Sequence, residues 1–289
     1  MISRRRFLAV SAAAAVLPVP ALASTDWRGR AFGSDVSLSL TGPRGQVEGD
    51  LADLLTRMRE IEAAFTLYDP AGPMARLNGS GQGRLSLDLE RILTTSRRVH
   101  AATGGLFDPT IQSVWRALSE NLRPDQSLVD LDRVLIDGDT LRLAPGQALS
   151  FNGIAQGYAA QDLRQMLADR GYQNARVDMG ETATLGGPFR LGVEDPDAGR
   201  IAQVTLAGDC AASSSPAAMQ VGGRAHILHP KGGAPLWSTV TVIGPDATVA
   251  DAASTAFCLM PLAEMEKAAL ALGLSRVLIV DAGGNLTSL

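Results

Sequence analysis

Lysine is nearly absent from this chain. Only Lys231 and Lys267 occur among 289 residues, which makes a lysine Schiff base or a lysine nucleophile an unattractive mechanism. Histidine is as scarce, at His100, His226 and His229, and the cysteines are Cys210 and Cys258 alone. No Cys/His cluster has zinc spacing, and neither Gly-x-Gly-x-x-Gly nor a Walker-type loop occurs, so ordinary nucleotide folds lose support. A Gly-x-Ser-x-Gly elbow is missing too, which removes the serine hydrolase reading. The apolar run from Leu8 to Leu17 ends at Pro18 and Pro20, short of the roughly twenty residues that a membrane span needs.

With 46% hydrophobic and 19% charged residues, the chain can bury a substantial core as one large domain or two intimate ones. Its start, "MISRRRFLAVSAAAAVLPVPALAS", has a basic n-region with the Ser-Arg-Arg-x-Phe-Leu pattern, an apolar stretch, and Ala21-Leu22-Ala23 before Ser24. This predicts a cleaved twin-arginine signal over 1–23, a periplasmic destination, and a single domain over 24–289 without stable membrane insertion. That route carries folded cargo, so folding or cofactor loading precedes transport. Removing the leader takes away Arg4, Arg5 and Arg6 and leaves 23 basic against 30 acidic residues, a net of −7. Nucleic acid is therefore not an expected partner.

"DVSLSL" alternates like a strand, turned by Thr41-Gly42-Pro43. Leu51, Leu54, Leu55, Met58, Ile61 and Phe65 recur at helical spacing, predicting a helix over 48–65. The Pro and Gly of "TLYDPAGPMARLN" predict a loop, and a second helix is expected over 88–102. "ALSFNGIAQGYAAQDLRQMLADRGY" reads as strand, glycine turn and helix. Strands are expected at "ARVDM", "FRLGVE", "QVTLAG", "AHIL" and "STVTVIG", helices near 249–259 and 264–272, and a final hairpin in "SRVLIVDAGGNLTSL". Helices mixed with many short strands, without regular alternation, indicate an α+β class: mixed short-stranded sheets packed with several helices.

Polar residues gather at glycine-rich turns: "LYDP", "GGLFDPT", "FNGIAQGY", "DMGE", "HILHP" and "ADAASTAF". In the last, Asp251 stands among small or apolar side chains, and an uncompensated buried carboxylate costs several kcal/mol. It either caps a helix by accepting the Ser254 N–H, or shares an ion with Thr255 one turn on; oxygen ligands suit Mg²⁺. Gly153 and Gly157 let backbone approach a ligand, or simply make a turn. Asp108 could make only an Asp-Pro turn. His226 is the candidate base, since a neutral imidazole near pH 7 takes a proton from a hydroxyl. His100 reads as a solvated helix-end residue. His226 and His229, three apart on the expected "AHIL" strand, would face opposite ways, which argues against zinc. Cys258 reads as a buried free thiol.

These motifs, in this order, resemble the ApbE-type flavin transferases, which move FMN from FAD onto a Ser or Thr of another protein. "GGLFDPT" and the "AD…ST" helix carry the likeness most specifically; "FNGIAQGY", "MGE" and the leader are similar to the NosX-like branch associated with nitrous oxide reduction. The resemblance implies an FAD site lined by Phe32, Tyr68, Leu106, Phe107, Asp108, Gln156 and Leu228, and Mg²⁺ held at Gly153, Asp251, Ser254 and Thr255. It implies His226 as the catalytic base and a flavin-side loop in "AASSSPAAMQ" whose serines contact phosphate. The implied acceptor is a membrane-anchored periplasmic flavoprotein of denitrification. Gln156, where many members have Lys, and His229, where Asp is usual, depart from the family pattern. Two other outcomes of the same site stay open, an FAD pyrophosphatase and a non-catalytic FAD-binding protein.

Overall fold

The computed structural model describes residues 22–289, so most of the expected export leader over 1–23 lies outside the described residues. The chain runs β1 (Leu22–Ala31), β2 (Ser34–Pro43), α1 (Arg44–Phe65), α2 (Pro73–Ser80), β3 (Gln82–Arg84), α3 (Leu87–Ala102) and α4 (Gln112–Ser119). There follow β4 (Leu135–Asp137), β5 (Thr140–Arg142), α5 (Ala155–Asp169), β6 (Asn174–Asp178), β7 (Thr182–Leu185), β8 (Phe189–Asp195), β9 (Gly199–Leu206) and β10 (Cys210–Ser214). The last part holds β11 (Gln220–Val221), β12 (Arg224–Ala225), β13 (Thr239–Gly244), α6 (Ala247–Phe257), α7 (Leu262–Leu272), β14 (Arg276–Val280) and β15 (Leu286–Ser288). Among the described residues no helix is long and apolar enough to cross a membrane.

The centre is an eight-stranded sheet in the order β1-β2-β6-β7-β10-β13-β14-β15, and each neighbouring pair in it is antiparallel. Strand β2 buries Val36, Leu38 and Leu40 from alternate positions, the half-buried pattern its sequence alternation predicts. Helix α1 buries Val47, Leu54, Met58, Ile61 and Phe65 against that side. Strand β13 is buried along its whole length: α6 covers one face, and the β8–β9 hairpin sets Val193, Val204 and Leu206 against Ile243 and Leu278 on the other. Helices on one side of an antiparallel sheet make this an α+β fold.

Three local expectations give way. The loop of "TLYDPAGPMARLN" contains α2, because Pro73 sits in the first turn, where no N–H is needed. Its buried residues are Met74 and Leu77, and Gly81 closes it in a left-handed conformation at φ 71°. "ALSF" forms no strand. Ala148 makes one isolated parallel bridge to Ile111; the Leu149 N–H donates to Asn78 Oδ1 at 2.8 Å, and the Leu149 carbonyl accepts from Asn78 Nδ2 at 2.9 Å. One side chain thus satisfies what a ladder would have satisfied. "AHIL" has only Ala225 in a strand, since β12 stops there.

Candidate functional site

Residues far apart in sequence meet at a cavity of about 640 Å³, within the size range of ligand pockets, about 300–1,000 Å³. Phe32, Tyr68, Leu106, Phe107, Asp108, Gly153, Gln156, His226, Leu228, Asp251 and Thr255 all line it. Ser254 does not. It is wholly buried, donates to the Asp251 carbonyl at 2.9 Å and lies 2.7 Å from Ser214 Oγ, so its hydroxyl is spent inside the protein.

Asp251 is not a helix cap. Helix α6 begins four residues earlier with Asp246 as its N-cap, accepting from the N–H groups of Thr248 and Val249, and Asp251 stands mid-helix and buried. The group that meets its carboxylate is the Gly157 N–H, which donates to Oδ2 at 2.8 Å. Glycine is needed there because a Cβ would sit 2.3 Å from the Ala247 carbonyl oxygen and 2.5 Å from Asp251 Cβ. The small residues of "ADAASTAF" serve the same close packing of α5 on α6. Among the described residues Oδ1 accepts no hydrogen bond.

A second buried acid, Glu181, enters the cavity wall. In the sequence, "DMGE" marks a glycine turn and part of the family resemblance but does not single out Glu181. The turn is real, with Gly180 at φ 95°; a Cβ there would strike Gln156 Nε2 at 2.3 Å, so the amide of Gln156 rests on the turn and donates to Ser34 Oγ at 3.1 Å. Glu181 Oε2 accepts the Ser213 N–H at 2.9 Å. Burial raises the Glu181 carboxyl well above its usual range, and the charge of Asp251 raises it further. Burial likewise pushes Asp251 up, opposed by the one hydrogen bond from Gly157.

Two buried carboxyl groups that resist ionising together make a place where a cation is stabilising. The donors suit Mg²⁺: the free Asp251 oxygen and Thr255 Oγ1 one helical turn on. The backbone at Gly153 lies so close that a Cβ on it would be 2.9 Å from Thr255 Oγ1. Among the described residues no three His, Cys, Asp or Glu side chains cluster, so water and substrate oxygens would fill the rest of the shell.

A carboxyl group raised in the folded state favours folding at pH values below its unfolded value, near 4, and that contribution is lost as pH rises through the folded value. In the metal-free protein the contribution of this pair therefore falls upward from about pH 4, and a cation that binds the ionised pair restores it. We expect the rise in Tm on adding Mg²⁺ to grow between pH 5 and 8 and to vanish in Asp251→Asn; a pH-independent rise contradicts the site.

Aromatic and apolar groups form the rest of the wall. Phe32 and Gly33 make the two-residue turn between β1 and β2, with φ of 53° and 75°. Such turns favour Asn or Gly, and a left-handed Phe costs on the order of 1 kcal/mol or more. The Phe32 N–H donates to Glu62 Oε1 at 2.6 Å, which holds the turn at the cavity. Tyr68 lies at the rim, 81% exposed. Trp115 of α4 adds an aromatic face that the sequence reading did not single out.

Asp108 does make the Asp-Pro turn: Oδ1 accepts the Thr110 N–H at 2.8 Å and hydroxyl at 2.6 Å, and Oδ2 accepts the Leu131 N–H at 3.1 Å. Its carboxyl is a loop pin at the cavity wall. His100 is not a solvated helix end; it is half-buried, and Nδ1 donates to the Phe107 carbonyl at 2.9 Å, fixing the same loop.

His226 lies outside any strand, so the opposite-faces argument for His226 and His229 does not apply here. Its Nδ1 is 3.0 Å from the Pro216 carbonyl and 3.3 Å from that of Met219. Carbonyls only accept, so in the neutral ring Nδ1 carries the hydrogen and Nε2 keeps its lone pair. His229 instead accepts the Lys231 N–H on Nδ1 at 3.1 Å. Both cysteines are buried free thiols.

A model of the ApbE family matches residues 32–278. Solved structures of the same fold include the ApbE protein of Thermotoga maritima, at 26% identity and TM-score 0.79, over 92% of this chain and 96% of that one. The flavin transferase ApbE of Vibrio cholerae matches at 19% identity and TM-score 0.79, over 93% and 97% of the two chains. The apo form of the Pseudomonas stutzeri flavinyl transferase ApbE matches at 20% identity and TM-score 0.77, over 93% and 94%. No curated protein matches the sequence.

Proposed function

The chain belongs to the ApbE family, and from that premise we propose that it is a Mg²⁺-dependent FAD:protein FMN transferase. The observation that carries the proposal is a single cavity in which Asp251, Thr255 and Gly153 share walls with His226 and with the aromatic groups of Phe32, Tyr68 and Phe107. Aromatic faces suit the flat rings of a flavin dinucleotide, and the buried Asp251 and Glu181 beside them suit its pyrophosphate when a cation intervenes.

A bound Mg²⁺ supplies charge neutralisation at the pyrophosphate oxygens. Gly157 orients the Asp251 carboxylate through its N–H. Gln156 offers a neutral amide where a charged residue would draw phosphate harder. The hydroxyl of an acceptor Ser or Thr attacks the FMN phosphorus in line; its proton passes to His226 Nε2, the new P–O bond forms, and the bond to AMP breaks. Nδ1 stays fixed on the Pro216 and Met219 carbonyls throughout. The leader pattern supports a periplasmic setting, with an acceptor flavoprotein of a nitrous oxide reduction chain.

The stoichiometry tests the proposal. AMP release should depend on an acceptor protein and match the flavin it gains; rapid release of AMP and FMN with water alone would make the protein a pyrophosphatase, and intact FAD persisting with Mg²⁺ and acceptor would make it a binding protein. His226→Ala should slow transfer about 10²- to 10⁴-fold while FAD still binds, as read by quenching of flavin fluorescence. Undiminished single-turnover rates would remove His226 as the base.

A further inference from the structure

Helix α4 and the hairpin of β11 and β12 pack together in a small cluster of their own, in which Val114 and Leu118 of α4 are buried with Val221 of β11. The hairpin turns through Gly222 and Gly223, left-handed at φ 53° and 72°. At its base stand Met219 and His226, both of which line the cavity. The candidate base is thus one residue beyond the end of β12.

The bonds of the hairpin fix which way its backbone faces. The His226 N–H donates to the Met219 carbonyl at 3.2 Å, and Gln220 and Val221 lie opposite Ala225 and Arg224. Bonded and non-bonded rungs alternate along an antiparallel pair. Val221–Arg224 is then a bonded rung and Gln220–Ala225 is not, so the N–H and C=O groups of Gln220 and Ala225 point outward from the ribbon. Among the described residues none of these groups has a hydrogen-bond partner. The two edges differ in their surroundings. Helix α4 stands against β11, where a Cβ on Gly222 would lie 2.8 Å from the Leu118 carbonyl oxygen. On the other side nothing lies within 4 Å of a Cβ built on Gly223, and Arg224 is exposed. An open strand edge is a template for another strand.

We propose that the acceptor polypeptide docks as an extended strand along the free edge of β12, its backbone bonded to the N–H and C=O of Ala225. The proposal rests on the transferase reading, which requires a protein hydroxyl to reach His226 Nε2. Strand addition meets that requirement, because main-chain bonds hold a peptide whatever its side chains. The residue across from His226 shares its face, with Cβ atoms about 4.5–5.5 Å apart, so a Ser or Thr there sets its hydroxyl beside the imidazole. The occupant is the acceptor and not a second copy of this chain, since β12 offers only Arg224–Ala225 before the site begins.

The test takes the full enzyme with FAD, Mg²⁺ and the acceptor flavoprotein, and compares wild type with Ala225→Pro and Gln220→Pro, each checked by thermal melt. Proline removes an outward N–H without costing the hairpin a bond of its own. Ala225→Pro should raise KM for the acceptor about tenfold, with FAD affinity and the rate at saturating acceptor unchanged, and Gln220→Pro should change none of these. An unchanged KM in Ala225→Pro, or an equal rise in Gln220→Pro, overturns the proposal. A fall in the saturating rate in place of a rise in KM overturns it too, as the mark of a displaced His226. Hydrogen exchange on the wild type needs no variant of the enzyme. With FAD bound and an acceptor whose target hydroxyl residue is replaced by Ala, exchange at the Ala225 amide should slow by an order of magnitude or more, and at Gln220 it should not. An Ala225 amide that exchanges as fast with acceptor as without it overturns the proposal alone. A wild-type enzyme that flavinylates no acceptor overturns the transferase reading and this proposal with it.

Discussion

Asp251→Ala should abolish Mg²⁺-dependent FAD cleavage, with a loss of about 10³-fold or more, and should leave the fold intact. The two halves of that expectation come from different physics. Ala is the strongest helix former, α6 is already rich in Ala, and the substitution removes a carboxyl group that burial makes costly. Against this stands one Gly157 N–H left without its acceptor, a cost of about 1–3 kcal/mol. The melt should therefore move little. On the proposed mechanism catalysis would lose the oxygen that anchors the cation, and several kcal/mol of charge stabilisation at phosphate with it, at a tenfold loss of rate for each ~1.4 kcal/mol. A variant with normal circular dichroism and wild-type AMP release would show that the metal lies elsewhere.

The second large effect is expected at a residue with no side chain. In an exposed helix Gly→Ala stabilises by up to about 1 kcal/mol; at position 157 it should do the reverse. The added Cβ meets the Ala247 carbonyl oxygen at 2.3 Å and Asp251 Cβ at 2.5 Å, and neither belongs to a flexible side-chain end. Relief requires α6 to move off α5, which costs about 1–3 kcal/mol and displaces the N–H that orients Asp251. We expect Gly157→Ala to lower Tm by several degrees and to weaken Mg²⁺ binding by an order of magnitude or more, measured by titration of the purified protein. A rise in Tm would mean that the two helices are not in the contact described.

How much of this was legible beforehand depends on whether a signal is periodic or spatial. The helices around Leu54 and Leu163, the alternating strand at Val36–Leu40 and the final hairpin announce themselves by spacing, and each is present. Helix α2 does not, because its Pro73 and Gly72 read as breakers until the proline is seen at the first turn. "ALSF" reads as a strand yet forms none, because Asn78, seventy-one residues before Leu149, satisfies the Leu149 backbone in place of a ladder.

In the cavity, Asp251, Thr255 and His226 stand out from their own chemistry and spacing, and the aromatic residues through the family resemblance. The cap reading of Asp251 failed because Asp246, a better-placed acceptor, starts the helix. Glu181 escaped because its importance lies in nearness to Asp251, which no local pattern encodes.

The most direct measurement is intact and peptide mass spectrometry of a Ser/Thr-containing acceptor flavoprotein after incubation with the enzyme, FAD and Mg²⁺. The account requires a gain equal to one phosphoester-linked FMN on a single hydroxyl residue, one AMP released per adduct, and neither product with chelator present. An acceptor whose mass does not change while FAD is consumed, or an adduct that forms as readily without divalent cation, would contradict it.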